Sequence, residues 1–233
     1  MVIKKLRDFG FNTDNRTYII AEIGINHRGD IKIAKQLIDS AARSGVDAVK
    51  FQTYITEQRA PKGNNEVFKL LKDLELPFEA FKELRDYTKQ YDVDFFSTPF
   101  DKESVEYLES IGTDLYKIAS FDITNHSLLA EVAKTGKPVI ISVGMSNLDE
   151  IREAYRLLSK GTENIAILHC ISSYPTQEKD AKLSNLVKLQ KEFDCIIGQS
   201  DHTNDIKVPV YAAAAGAQIL EKHFKIDEEF ECI

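Results

Sequence analysis

Short apolar runs and longer amphipathic ones alternate along almost the whole chain. The first run, Tyr18–Gly24 (YIIAEIG), is apolar and β-rich, which predicts a buried strand. Asp30 stands where an N-cap is needed, and Ile33, Ala34, Leu37, Ile38 and Ala41 then recur at helical spacing until Gly45 ends the helix. The same strand-then-helix alternation repeats. Further strands are predicted at 47–52, 93–97, 115–119, 138–142, 164–169, 195–198 and 217–223. Helices are predicted at 78–90, from an Asp101 cap to Ile111, at 126–134, from an Asn147 cap to Ser159, at 180–192 and at 206–215. An insertion at 53–76 carries one short helix, and Ile3 to Thr17, with a turn at Asp14-Asn15, reads as a small hairpin.

Eight strands alternating with seven helices demand a parallel sheet, and eight units is the number that closes a barrel. A doubly wound open sheet is the alternative, but no G-x-G-x-x-G turn supports it. The expected architecture is therefore α/β, a (β/α)8 TIM barrel over residues 18–233 behind an N-terminal hairpin at 1–17. Its eighth helix is expected to be missing, because only about ten residues follow the last strand. No linker or low-complexity tract marks a second domain.

Composition narrows the class of partner. The net charge of −7, with no basic run, argues against a general nucleic-acid surface but not against an anionic small molecule. The three cysteines, Cys170, Cys195 and Cys232, form no C-x-x-C pair, and their odd number argues against a disulfide framework. Residues 1–17 are too polar for a signal peptide and no apolar run approaches the ~18 residues of a membrane span. A reducing cytoplasm, with no membrane partner, is the expected home.

In such a barrel the C-terminal ends of the strands and the loops after them build the active site. Strand one ends at Glu22, with Asn26 and His27 after it; strand two gives Lys50 and Gln52, on one face of the strand. Strand three gives Ser97 and Thr98, strand four Lys117, Ser120 and Asp122, and strand five Ser142. Strand six gives Ser172, Ser173 and Tyr174, strand seven Ser200, Asp201 and His202, and strand eight Glu221 and His223. Singly, each has a plain structural reading. Strand-end hydroxyls cap turns, lysines are usually solvated, and an isolated histidine is more often a hydrogen-bonded structural residue, the class to which His126 and His169 are assigned. Lys50 and Lys117 stand out because they sit inside otherwise apolar strands. Together, two lysines and several hydroxyls suit a phosphate, and two histidines suit a divalent metal that polarises a carbonyl. Glu22 and Glu221 remain for acid–base work or hydroxyl binding. The implied substrates are a phosphorylated small molecule and a carbonyl or polyol compound.

Eight runs of residues carry a resemblance: AEIGINHRGD (21–30), VKFQT (49–53), FSTPF (96–100), YKIAS (116–120), GKPVIISVGM (136–145), SSYPT (172–176), SDHT (200–203) and EKHF (221–224). Spread in order over nearly the whole chain, they resemble the sialic acid synthase family, which includes the N-acetylneuraminate, legionaminate and pseudaminate synthases. That family condenses phosphoenolpyruvate with an N-acetylated sugar to give a nine-carbon 2-keto acid and phosphate. The resemblance puts His202 and His223 on a divalent metal, manganese with magnesium as the alternative, that holds the sugar's aldehyde oxygen. It puts Lys50, Thr98, Lys117, Ser120, Ser142 and Ser200 around phosphoenolpyruvate. Glu22 and Glu221 fall on catalytic carboxylates, joined by Asp122, and Gln52, Ser172 and Tyr174 fall on the sugar side. Two positions depart from the N-acetylneuraminate pattern: Asp122 stands for Glu and Ser172 for Asn. Family members continue through an eighth helix and an antifreeze-like domain that lends an arginine to the partner's site in a swapped dimer. The resemblance therefore implies a homodimer, or a C-terminal domain supplied by a separate chain. Two other readings stay open: a non-catalytic or partner-completed barrel that keeps metal or phosphoenolpyruvate affinity, and a metal-dependent aldolase or sugar isomerase.

Overall fold

The structure, a computed structural model, describes residues 16–63, 65–227 and 229–230. The expected hairpin lies outside the described residues apart from Arg16 and Thr17. Eight strands, β1 (Tyr18–Gly24), β2 (Ala48–Thr53), β3 (Asp94–Pro99), β4 (Tyr116–Ile118), β5 (Val139–Ser142), β6 (Ile165–His169), β7 (Ile196–Asp201) and β8 (Ile219–His223), follow one another in sequence order and close into a barrel. The pairings β2–β3, β4–β5, β5–β6, β6–β7 and β7–β8 are parallel. The expected fold class, a (β/α)8 barrel, is the observed one.

The helices are α1 (Ile31–Arg43), α2 (Thr56–Arg59), α3 (Asn65–Leu74), α4 (Phe78–Thr88), α5 (Lys102–Ser110), α6 (His126–Lys134), α7 (Leu148–Leu158), α8 (Ser184–Glu192) and α9 (Lys207–Ala214). Three of the anticipated caps form. Asp30 accepts from Lys32 N–H at 2.7 Å, Asp101 from Ser104 N–H at 2.7 Å, and Asn147 closes a reciprocal capping box with Glu150. Three departures from expectation exceed two residues. The insertion after β2 holds two helices, α2 and α3, rather than one. α2 is a single turn fixed from a distance, with Thr56 N–H on Glu75 Oε2 at 3.0 Å and Ile55 N–H on Asp101 Oδ2 at 2.8 Å. β7 runs on to Asp201 because Ser200 and Asp201 continue the ladder opposite Glu221 and Lys222. α8 starts at Ser184, after a 3₁₀ turn at Glu178–Asp180.

The chain packs as two compact units, Met1–Ile20 with Leu115–Lys222, and Ala21–Asp114 with His223–Ile233. In the second, the outward residues of β2 meet the helices. Phe51 and Val49 pack with Leu37, Ile38 and Ala41 of α1 and Phe81 and Leu84 of α4. Each such fully buried side chain contributes about 1.5–3 kcal/mol. Alternation along the strand then turns Lys50 and Gln52 the other way. In the first unit α6 and α7 lie so close that a Cβ on Gly161 would fall 1.8 Å from the Ala133 carbonyl oxygen, so only glycine fits there. Among the described residues no helix is long and apolar enough to cross a membrane.

Candidate active site

In the unit containing β2 and β3, the inward face of β2 carries Lys50 and Gln52. Both reach the carboxylate that β1 brings in at Glu22. Lys50 Nζ lies 2.8 Å from Glu22 Oε2, and Gln52 Nε2 donates to Oε1 at 3.2 Å. Lys50 also donates to Thr98 Oγ1 at 3.1 Å, because the parallel register sets Gln52 beside Thr98 and brings the hydroxyl one step beyond the lysine. Glu22, Lys50 and Thr98 are all buried. Gly24, at φ +56, keeps the space beside this cluster open, since a Cβ there would approach Glu22 Oε1 to 3.0 Å. Ser97 faces elsewhere and shares a 2.7 Å hydrogen bond with Thr53. Asn26 ties the turn after β1 to the end of β8, donating to the Phe224 carbonyl at 3.0 Å. His27 is fully buried and stacks on Phe51, with ring centroids 6.1 Å apart. Burial lowers its pKa to about 4, so it is a neutral structural ring. His223 is exposed at the end of β8.

The other unit repeats the theme with different partners. Lys117 Nζ donates to Ser142 Oγ at 2.6 Å and lies 3.6 Å from Glu221 Oε1. Ser200 donates to the same Oε1 at 2.8 Å, its backbone standing in register with Glu221. Lys117, Ser142, Ser200 and Glu221 are buried. Ser120 is seated by two groups: Gly144 N–H donates to its Oγ at 3.0 Å, and Cys170 Sγ lies 3.0 Å away. Gly144 is required here, because a Cβ would fall 2.5 Å from Cys170 Sγ and 2.7 Å from Ser172 Oγ. Burial pushes the Cys170 thiol pKa up, against the opposing pull of Ser120 and Lys117, which keeps it a thiol rather than a thiolate. Asp122 sits in a 3₁₀ turn, Ser120–Asp122, where Asn125 Nδ2 donates to its Oδ1 at 3.2 Å. Ser172 and Tyr174 are exposed, and the Tyr174 ring lies over His202 with centroids 4.1 Å apart.

His202 is oriented from behind. Its Nδ1 lies 2.7 Å from the Ile171 carbonyl, which can only accept, so Nδ1 carries the proton and Nε2 the lone pair. The flanking Asp201 is buried and anchored by Lys222 Nζ at 2.6 Å and Thr203 Oγ1 at 2.7 Å. Among the described residues no group of three or more His, Cys, Asp or Glu is arranged to hold a metal ion. The two histidines assigned structural roles differ. His169 is buried, with Nε2 on the Ala181 carbonyl at 2.8 Å, and His126 is exposed at the start of α6.

Each unit thus brings together a buried lysine, a carboxylate and strand-end hydroxyls, as expected from the strand ends. Gly144, Cys170, Asn125 and Lys222, the partner of Asp201, were not among the expected site residues. For Gly144 the one signal is its place two residues after β5, where a side chain is absent rather than present.

Residues 37–232 match the model of the NeuB family. Over 216 residues the chain is 47% identical to an uncharacterised protein of Methanocaldococcus jannaschii, covering 92% of this chain and 64% of that one. It is 41% identical to the N,N'-diacetyllegionaminic acid synthase of Campylobacter jejuni, covering 91% of this chain and 69% of that enzyme. The crystal structure of N-acetylneuraminic acid (sialic acid) synthetase from Leptospira borgpetersenii superposes with a TM-score of 0.91 at 40% identity, over 94% of this chain and 76% of that one. The chain spans about two thirds of the length of the curated relatives it matches.

Proposed function

The chain belongs to the NeuB family, and from that premise we propose that it forms the catalytic barrel of a synthase. The reaction joins phosphoenolpyruvate to an N-acetylated amino sugar and yields a nine-carbon 2-keto sugar acid and phosphate. The observation that carries this reading is the burial of two lysines, each held by a carboxylate and a strand-end hydroxyl: Lys50 with Glu22 and Thr98, and Lys117 with Glu221 and Ser142. Ammonium groups dehydrated at strand ends are strong partners for a multiply charged phosphate, and hydroxyls beside them complete its hydrogen bonding. The named relatives make N,N'-diacetyllegionaminic acid and N-acetylneuraminic acid, which supports an acceptor bearing an N-acetyl group.

In this reading Lys50, Thr98, Lys117, Ser120, Ser142 and Ser200 bind phosphoenolpyruvate, and Gln52, Ser172 and Tyr174 contact the sugar. Asp122, steadied by Asn125, accepts from a sugar hydroxyl. The C3 carbon of phosphoenolpyruvate forms the new C–C bond with the sugar's aldehyde carbon, whose oxygen takes up a proton. Water adds at C2 and gives up a proton; the C2–O bond to phosphate then breaks as the product's C2 carbonyl forms. Glu22 and Glu221 are the carboxylates that move these protons, and the lysines hold the departing phosphate's charge. His202 and His223 would hold a divalent cation, manganese or in its place magnesium, which supplies Lewis-acid polarisation of a carbonyl oxygen. What supports this role for His202 is that it presents Nε2 as its lone-pair nitrogen while a backbone carbonyl fixes the ring, as a metal-binding imidazole requires. Two imidazoles leave coordination positions for water and substrate oxygen.

The test is release of inorganic phosphate from phosphoenolpyruvate by the chain with manganese and a panel of N-acetylhexosamines and diacetamido sugars. It is run with the chain alone and with a relative's C-terminal domain supplied. Sugar-dependent release is the expected result; none with any sugar in either format overturns the proposal.

A further inference from the structure

Away from the lysine clusters, a cavity of about 500 Å³ opens between α7 and α8, above the ends of β5 and β6. Its size falls within the roughly 300–1,000 Å³ span of small-molecule sites. Leu148, Ile151 and Leu189 give it an apolar wall. Its polar groups are unevenly balanced in charge. Lys182 and Lys188 line it, and neither makes an ion pair among the described residues; Lys188 only donates to Asn185 Oδ1 at 3.1 Å. The one carboxylate in the lining, Glu192, is already taken by Arg152 at 2.7 Å. The Ser146 hydroxyl is buried and has no hydrogen-bond partner. His169 also lines the cavity; its Nε2 is committed to the Ala181 carbonyl at 2.8 Å, and burial holds the ring neutral.

We propose that this cavity is a binding site for a small organic anion, an apolar body carrying a carboxylate, sulfonate or phosphate head, and that its occupancy is coupled to Ser120. The head meets Lys182, Lys188 and the Ser146 hydroxyl; the body lies on Leu148, Ile151 and Leu189. An anion supplies a partner to one buried hydroxyl and a counter-charge to two exposed cations that make no ion pair among the described residues. The coupling is built into the wall. Gly144 and Cys170 line the cavity, and the same two residues seat Ser120, through the Gly144 N–H at 3.0 Å and the Cys170 sulfur at 3.0 Å. There is no slack at this wall, since even a methyl group on Gly144 would overlap Cys170. A ligand that shifts either residue moves the Ser120 hydroxyl, whatever Ser120 itself binds, and the linkage is reciprocal.

The probe is 8-anilinonaphthalene-1-sulfonate, whose fluorescence reports binding, with the neutral N-phenyl-1-naphthylamine as its uncharged counterpart. The expected result is saturable binding of the sulfonate that Lys182→Ala with Lys188→Ala weakens about tenfold or more, the effect of losing one charge-assisted contact. The same pair leaves the neutral probe unchanged. Leu148→Trp, at the partly exposed rim, fills the cavity and displaces both probes. Ser120→Ala shifts sulfonate affinity by about twofold or more, within the usual range of coupling between sites. Circular dichroism melts confirm that each variant folds. Sulfonate binding that is absent, or that ignores Leu148→Trp and the lysine pair, overturns the site; an affinity indifferent to Ser120→Ala overturns the coupling.

Discussion

The Lys50 ammonium lies 2.8 Å from the Glu22 carboxylate, with 5% and 4% of the two side chains exposed. A pair this deeply buried contributes little net stability, because dehydrating both ions offsets their attraction. Removing one partner is different. Lys50→Met leaves the Glu22 carboxylate with the Gln52 amide alone, and about 3–5 kcal/mol of stability is expected to go. In the double variant Glu22→Gln/Lys50→Met no buried charge remains, and most of that loss should return. Urea denaturation of the two variants measures the difference. Equal destabilisation in both would show that the ion pair is not what holds this corner of the fold.

Ser120 tests how closely the other unit is packed. Gly144→Ala places a methyl 2.5 Å from Cys170 Sγ and 2.9 Å from the Cys170 carbonyl oxygen. The sulfur can be removed but the backbone cannot. The substitution should cost about 1–3 kcal/mol, and Cys170→Ala in the same chain should recover part, not all, of it. If the reading of Ser120 as a phosphoenolpyruvate ligand holds, Gly144→Ala also raises KM for phosphoenolpyruvate. Calorimetric unfolding checks the first expectation and steady-state kinetics the second.

His27 gives the fold a pH dependence. Its pKa is lowered by burial from 6.5 to about 4, and Gly29 N–H donates to Nδ1, which further favours the neutral ring. Between those values the unfolded chain binds a proton that the folded chain does not, so stability rises with pH. The cost is nil above about 6.5, where the ring is neutral folded and unfolded, and grows as pH falls towards 4, where it reaches about 3 kcal/mol. His169, whose pKa is also lowered by burial, adds to the loss in the same direction. His27→Gln should therefore flatten the acid limb of the stability curve, read as urea midpoints at several pH values. An unchanged acid limb would assign the dependence to other groups.

These tests also mark what could be read from the chain before its structure. Apolar spacing locates β1 and α6 to the residue, because it is a local signal. It also put Lys50, Lys117 and Glu221 at strand ends, where the barrel collects them. α2 escaped because its single turn depends on Glu75 and Asp101, whose proximity is tertiary. The apolar run of β7 ends at Gly198 because Gln199, Ser200 and Asp201 are polar, although as ladder-paired residues they are buried on both faces of the strand. Cys170 was counted only as a cysteine outside any motif. Its position behind Ser120 follows from Gly144 having no side chain, which no periodicity records.

His202 separates orientation from ligation. The Ile171 carbonyl holds Nδ1 at 2.7 Å, so the ring is fixed by one nitrogen while the proposed metal bond belongs to the other. Asparagine places an amide N–H near the position of Nδ1 but nothing near Nε2; glutamine reaches the Nε2 position without matching Nδ1. His202→Asn should therefore keep the hydrogen bond to Ile171 and the packing beneath Tyr174, and its melting temperature should stay close to that of the parent. Its manganese affinity should fall by at least about tenfold, in line with losing a first ligand rather than a supporting contact. His202→Gln should show the opposite balance, losing stability while retaining part of the affinity. Manganese titration followed by electron paramagnetic resonance reads binding directly, without substrate or turnover. Parent-like manganese affinity in His202→Asn would remove His202 from the metal site and leave it the role of ordering the loop after β7.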